Sequence, residues 1–159
     1  MTVKVILEKG VSLPEYETKG SAAVDLRAII QNTIVIKPGE VVFVSTGIKL
    51  DMSEEVNLCA EAMPRSGLGA KAGLVIANTV GLMDNDYQGT IGLYLMNRNP
   101  ESRRMGMGSV PGESITIEPF DRVAQLRFSN FVQPKFAAVK KFEAVSERGE
   151  GGFGSTGKS

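Results

Sequence analysis

The chain of 159 residues contains no histidine, no tryptophan and a single cysteine, and its formal net charge is zero. Without histidine there is no Ser-His or Cys-His nucleophilic site and no zinc site that needs imidazole. One thiol, Cys59, can form neither an internal disulfide nor a thiolate cluster. Cys59 lies in an alternating apolar run, where a small buried hydrophobe is expected. Charge balance excludes a strongly basic surface, so no nucleic-acid partner is expected. No apolar run is long enough for a membrane helix and no basic-then-apolar leader is present, which sets the expectation of a cytoplasmic protein without a membrane partner. Proton transfers in such a chain fall to Asp, Glu, Lys, Tyr or water, and a metal, if used, would be a hard oxygen-bound ion such as magnesium.

What is present is a series of short strands. Val3–Glu8, Val24–Ala28, Thr33–Ile36, Val41–Ser45 ending at Gly47, Val56–Ala60, Ile115–Ile117 and Val123–Phe128 are separated by turn residues. Long segments of helical period are nearly lacking. The pattern predicts an all-β sandwich or barrel. One short helix is predicted over residues 64–73, with Ser66 as its N-cap and Gly73 as its C-cap. The N–H groups at that end, with Arg65 beside them, suit an anion, although a glycine-rich connector with an ordinary arginine salt bridge fits the same residues.

The stretch from Ile76 to Gly89 concentrates polar chemistry: Asn78, Asp84, Asn85, Asp86, Tyr87 and Gln88 between Gly81 and Gly89. Leu74–Ile76 leads in, and Ile91, Leu93 and Leu95 alternate on the way out, which reads as strand, turn, strand. An extended backbone would put Asp84 and Asp86 on one face. The strand at Leu93–Met96 is expected to pair with that at Ile115, across a connection far longer than an ordinary hairpin loop. That connection, residues 98–113, reads as an exposed excursion. Arg122 and Gln125 place hydrogen-bonding groups in the last apolar strand, and Asp121 reads as local charge balance. The end of the chain, 147–159, is glycine-rich and polar, a composition of flexible segments. Gly152–Ser159 matches the spacing of a phosphate-binding P-loop, but the helix that must follow such a loop has no residues to form it here.

These segments resemble, in order, the five motifs of the trimeric deoxyuridine triphosphatase (dUTPase) family. They are Ala23–Ala28, Pro64–Gly69, Gly81–Gly89 with Asn78 just upstream, Pro119–Gln125 and Arg148–Gly157. Two departures stand out: Phe120 occupies a position that is usually glycine, and the loop at 98–113 exceeds the compact family pattern, as in virus- or phage-type members with an inserted loop.

The resemblance implies an all-β, jelly-roll-like sandwich or barrel subunit over residues 1–146, with one short helix. It also implies a homotrimer with shared sites and a tail, 147–159, that completes a neighbouring site. The implied reaction is hydrolysis of dUTP to dUMP and pyrophosphate by water attack on the α-phosphorus, which limits uracil in DNA and supplies dUMP. Asp84 is then the base and Gln125 positions the water. Asn78, Gly81 and Met83 face the base, and Tyr87 the deoxyribose. Arg65, Ser66 and Gly67 hold phosphate, and Asp86 is structural. Arg148, Gly154 and Ser155 bind the outer phosphates beneath a stacking Phe153. Magnesium (Mg2+) sits on the phosphates, reached by Asp25 through water. The alternatives are a dCTP deaminase-like enzyme, or a nucleotide-sensing regulator that meets a protein partner through loop 98–113.

Overall fold

In the computed structural model, residues 2–105, 108–144 and 146–150 are described, with the side chains of 102–111 set aside. Twelve strands are formed by the described residues: β1 Lys4–Leu7, β2 Val24–Arg27, β3 Ile34–Ile36, β4 Val41–Asp51, β5 Leu58–Met63, β6 Leu74–Ile76, β7 Gly81–Met83, β8 Thr90–Asn97, β9 Ser102–Met105, β10 Gly108–Pro111, β11 Ile115–Ile117 and β12 Arg122–Asn130. Their pairings are antiparallel, in two four-stranded sheets ordered β1-β4-β8-β6 and β2-β12-β5-β7, with two-stranded ribbons β3–β11 and β9–β10. The fold is jelly-roll-like, as expected.

Alternation builds the core. Val44, Ile48, Leu50, Ile91, Leu93 and Leu95 of the first sheet face Val24, Leu26, Ala60, Ala62, Ala124 and Leu126 of the second, all at most 5% exposed. The outward residues between them stay at the surface, as a two-faced antiparallel sheet requires. Cys59 is buried on β5 and its thiol donates to the Ser129 carbonyl at 3.4 Å, in keeping with a structural role.

Three expectations are corrected. Gly47 does not end its strand: β4 runs on to Asp51, and Gly47, at φ 64, sits in a bulge where the register to β8 slips between Ser45 and Lys49. A Cβ there would meet Val11 Cγ2 at 2.7 Å, so glycine also permits the close approach of the loop after β1. Secondly, β8 does not pair with β11. It pairs with β4 and β6, which fill both its edges, while β11 pairs with β3. The long connection therefore joins two different sheets, and part of it folds on itself as the β9–β10 hairpin. Thirdly, the helix is short and starts at Ser66 rather than after it: Gly69 N donates to the Arg65 carbonyl at 2.8 Å, Gly67 has helical dihedrals, and Leu68–Ala72 continue as a π-helical turn with no side-chain cap. Gly73 does terminate it, in the left-handed conformation at φ 82.

Phe120 explains its own departure from glycine. Its φ is 67, the left-handed conformation that glycine ordinarily fills, so the turn keeps its shape and the aromatic bears a strain on the order of 1–2 kcal/mol. The backbone is held there from both sides: Phe120 N donates to the Ala28 carbonyl at 2.8 Å and its own carbonyl accepts from Arg27 Nη1 at 2.9 Å.

The base of the long connection is fastened by Asn97, which is fully buried. Its Nδ2 donates to the carbonyls of Ile36 and Glu113, both at 2.9 Å, and its Oδ1 accepts from Asn99 N at 3.0 Å. One side chain thus ties β8 to β3 and to the end of the excursion. Replacing it by leucine takes this donor from the buried Ile36 carbonyl and cuts the tie to Glu113, at about 1–3 kcal/mol. Asn97→Leu is expected to lower the free energy of unfolding by that amount in a urea titration; an unchanged midpoint would remove Asn97 from this role.

Candidate functional site

Strands β2, β12 and β5 place Asp25, Gln125 and Met63 in one cross-strand row, because Gln125 pairs with Asp25 on one side and with Met63 on the other. Their neighbours Leu26, Ala124 and Ala62 point into the core, so the row lies on the outer face of the second sheet. Arg122 would point inward by strict alternation. A bulge in β12 between Arg122 and Ala124 turns Val123 into the core beside Ala124 and leaves Arg122 outside.

The result is a clamp on one carboxylate. Asp25 Oδ1 pairs with Arg65 Nε at 2.8 Å, and Asp25 Oδ2 with Arg122 Nη1 at 3.0 Å. Arg122 Nη1 also meets Glu17 Oε1 at 2.5 Å, and Arg127 Nε meets Glu61 Oε2 at 2.5 Å on the same face. Gln125 Nε2 donates to the Pro64 carbonyl at 3.1 Å, fixing the turn that carries Arg65 and Ser66. A cleft of about 550 Å³ is lined by Glu17, Asp25, Arg65, Ser66, Gly67, Gln125 and Arg127, among others, and Arg122 lines the adjoining one with Glu17 and Asp25. Two of its arginines present planar forks, the geometry that matches phosphate oxygens. Sequence reasoning noted Arg122 only as a hydrogen-bonding group in its strand and gave Glu17 no role. Arg122 could be found only by knowing the bulge, and Glu17 sits in an irregular loop whose path no periodicity predicts.

The residues of the 78–89 segment stand elsewhere. After β6 the chain leaves the first sheet, adds β7 to the edge of the second, and returns to the first at Thr90. The two predicted strands are present, but this crossing lies between them. Asn78 is exposed in a turn whose next residue, Thr79, has φ 65. Gly81 pairs with Ala62 and buried Met83 with Ala60, so Asp84, exposed, begins beside Cys59. The stretch from Asp84 is not extended: Tyr87 N donates to the Asp84 carbonyl at 3.2 Å, closing a turn, so Asp84 and Asp86 do not share a strand face. Tyr87 Oη donates to the Thr90 carbonyl at 3.1 Å, and its ring lies over Gly89. Gln88, on the far side of the turn, lies close enough to β4 to act on the Asp51 carboxyl. The Asp51 carboxyl is held below the usual carboxylate range chiefly by the Ser53 hydroxyl, then by the Ser53 N–H and by Gln88.

Asp84 and Arg65 belong to opposite ends of β5. From Cys59 to Arg65 is roughly 20 Å of extended chain at about 3.3 Å per residue. The cleft that holds Arg65, Ser66 and Gln125 is not lined by Asn78, Asp84 or Tyr87. One chain therefore brings Asp25, Arg65, Ser66, Gly67 and Gln125 together, and holds Asn78, Gly81, Met83, Asp84 and Tyr87 as a second group. Arg148 lies in an exposed turn closed by Gly149 N on the Ser146 carbonyl at 3.0 Å. Phe153, Gly154 and Ser155 lie outside the described residues.

Fold and site define an all-β, jelly-roll protein in which a cleft bearing arginine, hydroxyl and amide groups stands apart from a turn bearing carboxylates. The family model for dUTPase matches residues 9–157. The chain is 47% identical over 150 residues to the deoxyuridine 5'-triphosphate nucleotidohydrolase of Psychromonas ingrahamii, covering 94% of this chain and 90% of that protein. It is 42% identical over 156 residues to that of Neisseria meningitidis, covering 98% and 95%. Among solved structures, the Staphylococcus bacteriophage 80alpha dUTPase with dUPNHPP superposes with a TM-score of 0.80 at 29% identity over 99% of both chains. The chain belongs to the dUTPase family.

The packing of Tyr87 on Gly89 can be tested directly. A Cβ at residue 89 would lie 2.4 Å from Tyr87 Oη, so the ring must leave. Gly89→Ala is expected to lower dUTP turnover about tenfold or more, as misplacement by an ångström does. Gly20→Ala, where a Cβ meets nothing within 4 Å, is the neutral control. Equal activity of both variants would show that the ring position is immaterial.

Proposed function

We infer that this chain hydrolyses dUTP to dUMP and pyrophosphate by attack of water on the α-phosphorus, in a site assembled from more than one subunit of a homotrimer. The observation that carries the shared site is the placement of Asp84 and Arg65 at opposite ends of β5. A single α-phosphorus cannot be reached by both from one chain, whereas a neighbouring copy can bring its Asp84 turn to this chain's arginine cleft. dUTP hydrolysis is favoured over the deaminase and regulator alternatives because the relatives described above are named for it.

In this reading the water oxygen bonds to the α-phosphorus, the bond from that phosphorus to the bridging oxygen breaks, and pyrophosphate leaves. Asp84 takes the water's proton as a general base, the role left open by a chain without histidine. Gln125, already fixed on the Pro64 carbonyl, orients the water. Arg65 and Ser66, with the Gly67 N–H, hold phosphate oxygens where negative charge develops. Asn78, Gly81 and Met83 form the uracil side, where hydrogen bonds spent on uracil reject cytosine. Tyr87 packs on the deoxyribose and leaves no space for a 2′-hydroxyl. Arg148, Gly154 and Ser155 bind the outer phosphates, with Phe153 over the base, and come from the tail of a further subunit. The 98–113 hairpin carries none of these groups and is assigned to an accessory surface for a protein partner.

Magnesium fits this donor set as a passenger on the substrate. Among the described residues no three acidic or thiol groups gather as a metal cage. Asp25 engages both its oxygens with arginines, which suits contact through water to a magnesium ion held by phosphates. Bound there, the ion supplies neutralisation of phosphate charge. Among the described residues no helix is long and apolar enough to cross a membrane, and the cytoplasm, where dUTP is met, is the assigned location.

Asp84→Asn keeps the side chain's size and removes its basicity. Turnover is expected to fall on the order of 10²–10⁴-fold with dUPNHPP affinity largely kept. Near-normal turnover contradicts the assignment. The unaltered protein is expected to hydrolyse dUTP in strong preference to dCTP and UTP, and comparable rates on the three would contradict the specificity.

A further inference from the structure

The outer face of the second sheet is nearly balanced in charge, with Arg27 of β2, which donates to the Phe120 carbonyl, as a fourth arginine beside three that are ion-paired. Three arginines, Arg65, Arg122 and Arg127, stand against three carboxylates, Glu17, Asp25 and Glu61, and each of the six is in an ion pair. Arg65 and Arg127 line the cleft together with Glu17 and Asp25, and Arg122 lines the adjoining one, which shares the same two carboxylates, so a polyphosphate there gains little from these paired arginines until a carboxylate gives way. The three are held unequally. Asp25 engages two arginines through different oxygens and its side chain is 17% exposed. Glu61 sits on strand β5 and is 20% exposed. Glu17 is 61% exposed, lies in the irregular segment between β1 and β2, and has a single ion pair among the described residues.

Glu17 also crowds Asp25. Both carboxylates meet the same Arg122 Nη1, at 2.5 and 3.0 Å, so their oxygens lie no further apart than those two lengths end to end. Like charges at that distance repel, and the exposed partner is the one that moves at least cost. The turn that follows supplies a fixed pivot: Ser21 N donates to the Thr18 carbonyl and Thr18 N to Ser21 Oγ, both at 3.1 Å.

We propose that Glu17 is a displaceable counter-ion: it holds Arg122 until the nucleotide's polyphosphate arrives, then yields, and so sets how tightly that polyphosphate and the product pyrophosphate are bound. The proposal rests on the phosphate-binding reading of the cleft given above. Asp25 remains on Arg122 throughout, so the exchange keeps the arginine oriented while one of its anions is traded for another. Glu17 is a positioning residue in this account and touches no reacting atom.

The test is equilibrium binding of inorganic pyrophosphate, and separately of dUPNHPP with magnesium, to the full chain and to Glu17→Gln and Glu15→Gln. Glu15 lies two residues away in the same segment and loses the same charge. Removing a competing exposed ion pair is expected to tighten both ligands about 2–5-fold in Glu17→Gln, less so at high salt, and to leave Glu15→Gln nearly unchanged. A purely structural loss would weaken binding instead. Unchanged or weaker binding in a Glu17→Gln protein with an unaltered melting temperature overturns the proposal. So does an equal gain in Glu15→Gln, or no pyrophosphate binding to the unaltered protein. dUTP turnover by the unaltered protein is measured alongside and judges the enzymatic reading separately, since pyrophosphate binding requires no hydrolysis.

Discussion

Strand β5 acts as a ruler. Its backbone is paired along its length with β12 and over Ala60–Ala62 with β7, so it can neither bend sharply nor slip without turning Ala60 and Ala62 out of the core. One end delivers the chain to Pro64, Arg65 and Ser66. The antiparallel pairing with β7, which ends at Ala60 opposite Met83, carries the chain the other way and starts the Asp84 turn beside Cys59. The separation of the arginine cleft from the carboxylate turn is thus a property of sheet geometry. Loop motion within one chain cannot abolish it without breaking the β5–β7 ladder. In the proposed reading, assembly from several copies is what brings the two groups to one phosphorus.

Electrostatics on the outer face depends on a second backbone feature, the bulge that turns Arg122 outward. With Arg122 outside, Asp25 is bridged on both oxygens and its charge is compensated without full burial. That matters because a half-buried carboxylate with one partner pays for desolvation with little return. The same arrangement leaves a phosphate-sized anion two arginine forks to compete for. Catalysis by positioning and charge stabilisation needs little more from a protein fold than such preset donors.

Much of this was legible in the residue order. Alternation located β1, β2, β3, β11 and β12 within a residue or two, and the lack of histidine narrowed the proton chemistry to carboxylates before any motif was considered. The motifs singled out Asp25, Arg65 and Gln125, which line one cleft, and the 78–89 segment, which does not. What failed was non-local or subtle in backbone geometry. The partner of β8 was misassigned because proximity in sequence favoured β11, whereas β4 and β6 already occupied both edges. Gly47 was taken for a stop because a positive φ usually ends a strand, but a bulge can hold one in mid-strand. Ser66 looks like a helix cap by type, yet it lies inside the helical turn, whose first bond runs from Gly69 N to the Arg65 carbonyl. Phe120 gave no sign that it would keep a glycine conformation. Glu17 was invisible because its role arises from a contact across about a hundred residues of chain with Arg122.

The most direct test mixes two inactive proteins. Arg65→Ala lacks the arginine cleft and Asp84→Asn lacks the base, and each alone is expected to be nearly inert. If one chain supplies Asp84 to another chain's Arg65, subunit exchange between the two variants creates some sites with both groups intact. dUTP hydrolysis should then reappear on mixing, in proportion to the exchanged fraction measured with differently tagged chains. If exchange is complete and activity stays at the level of the separate variants, both groups act from one chain and the account is wrong.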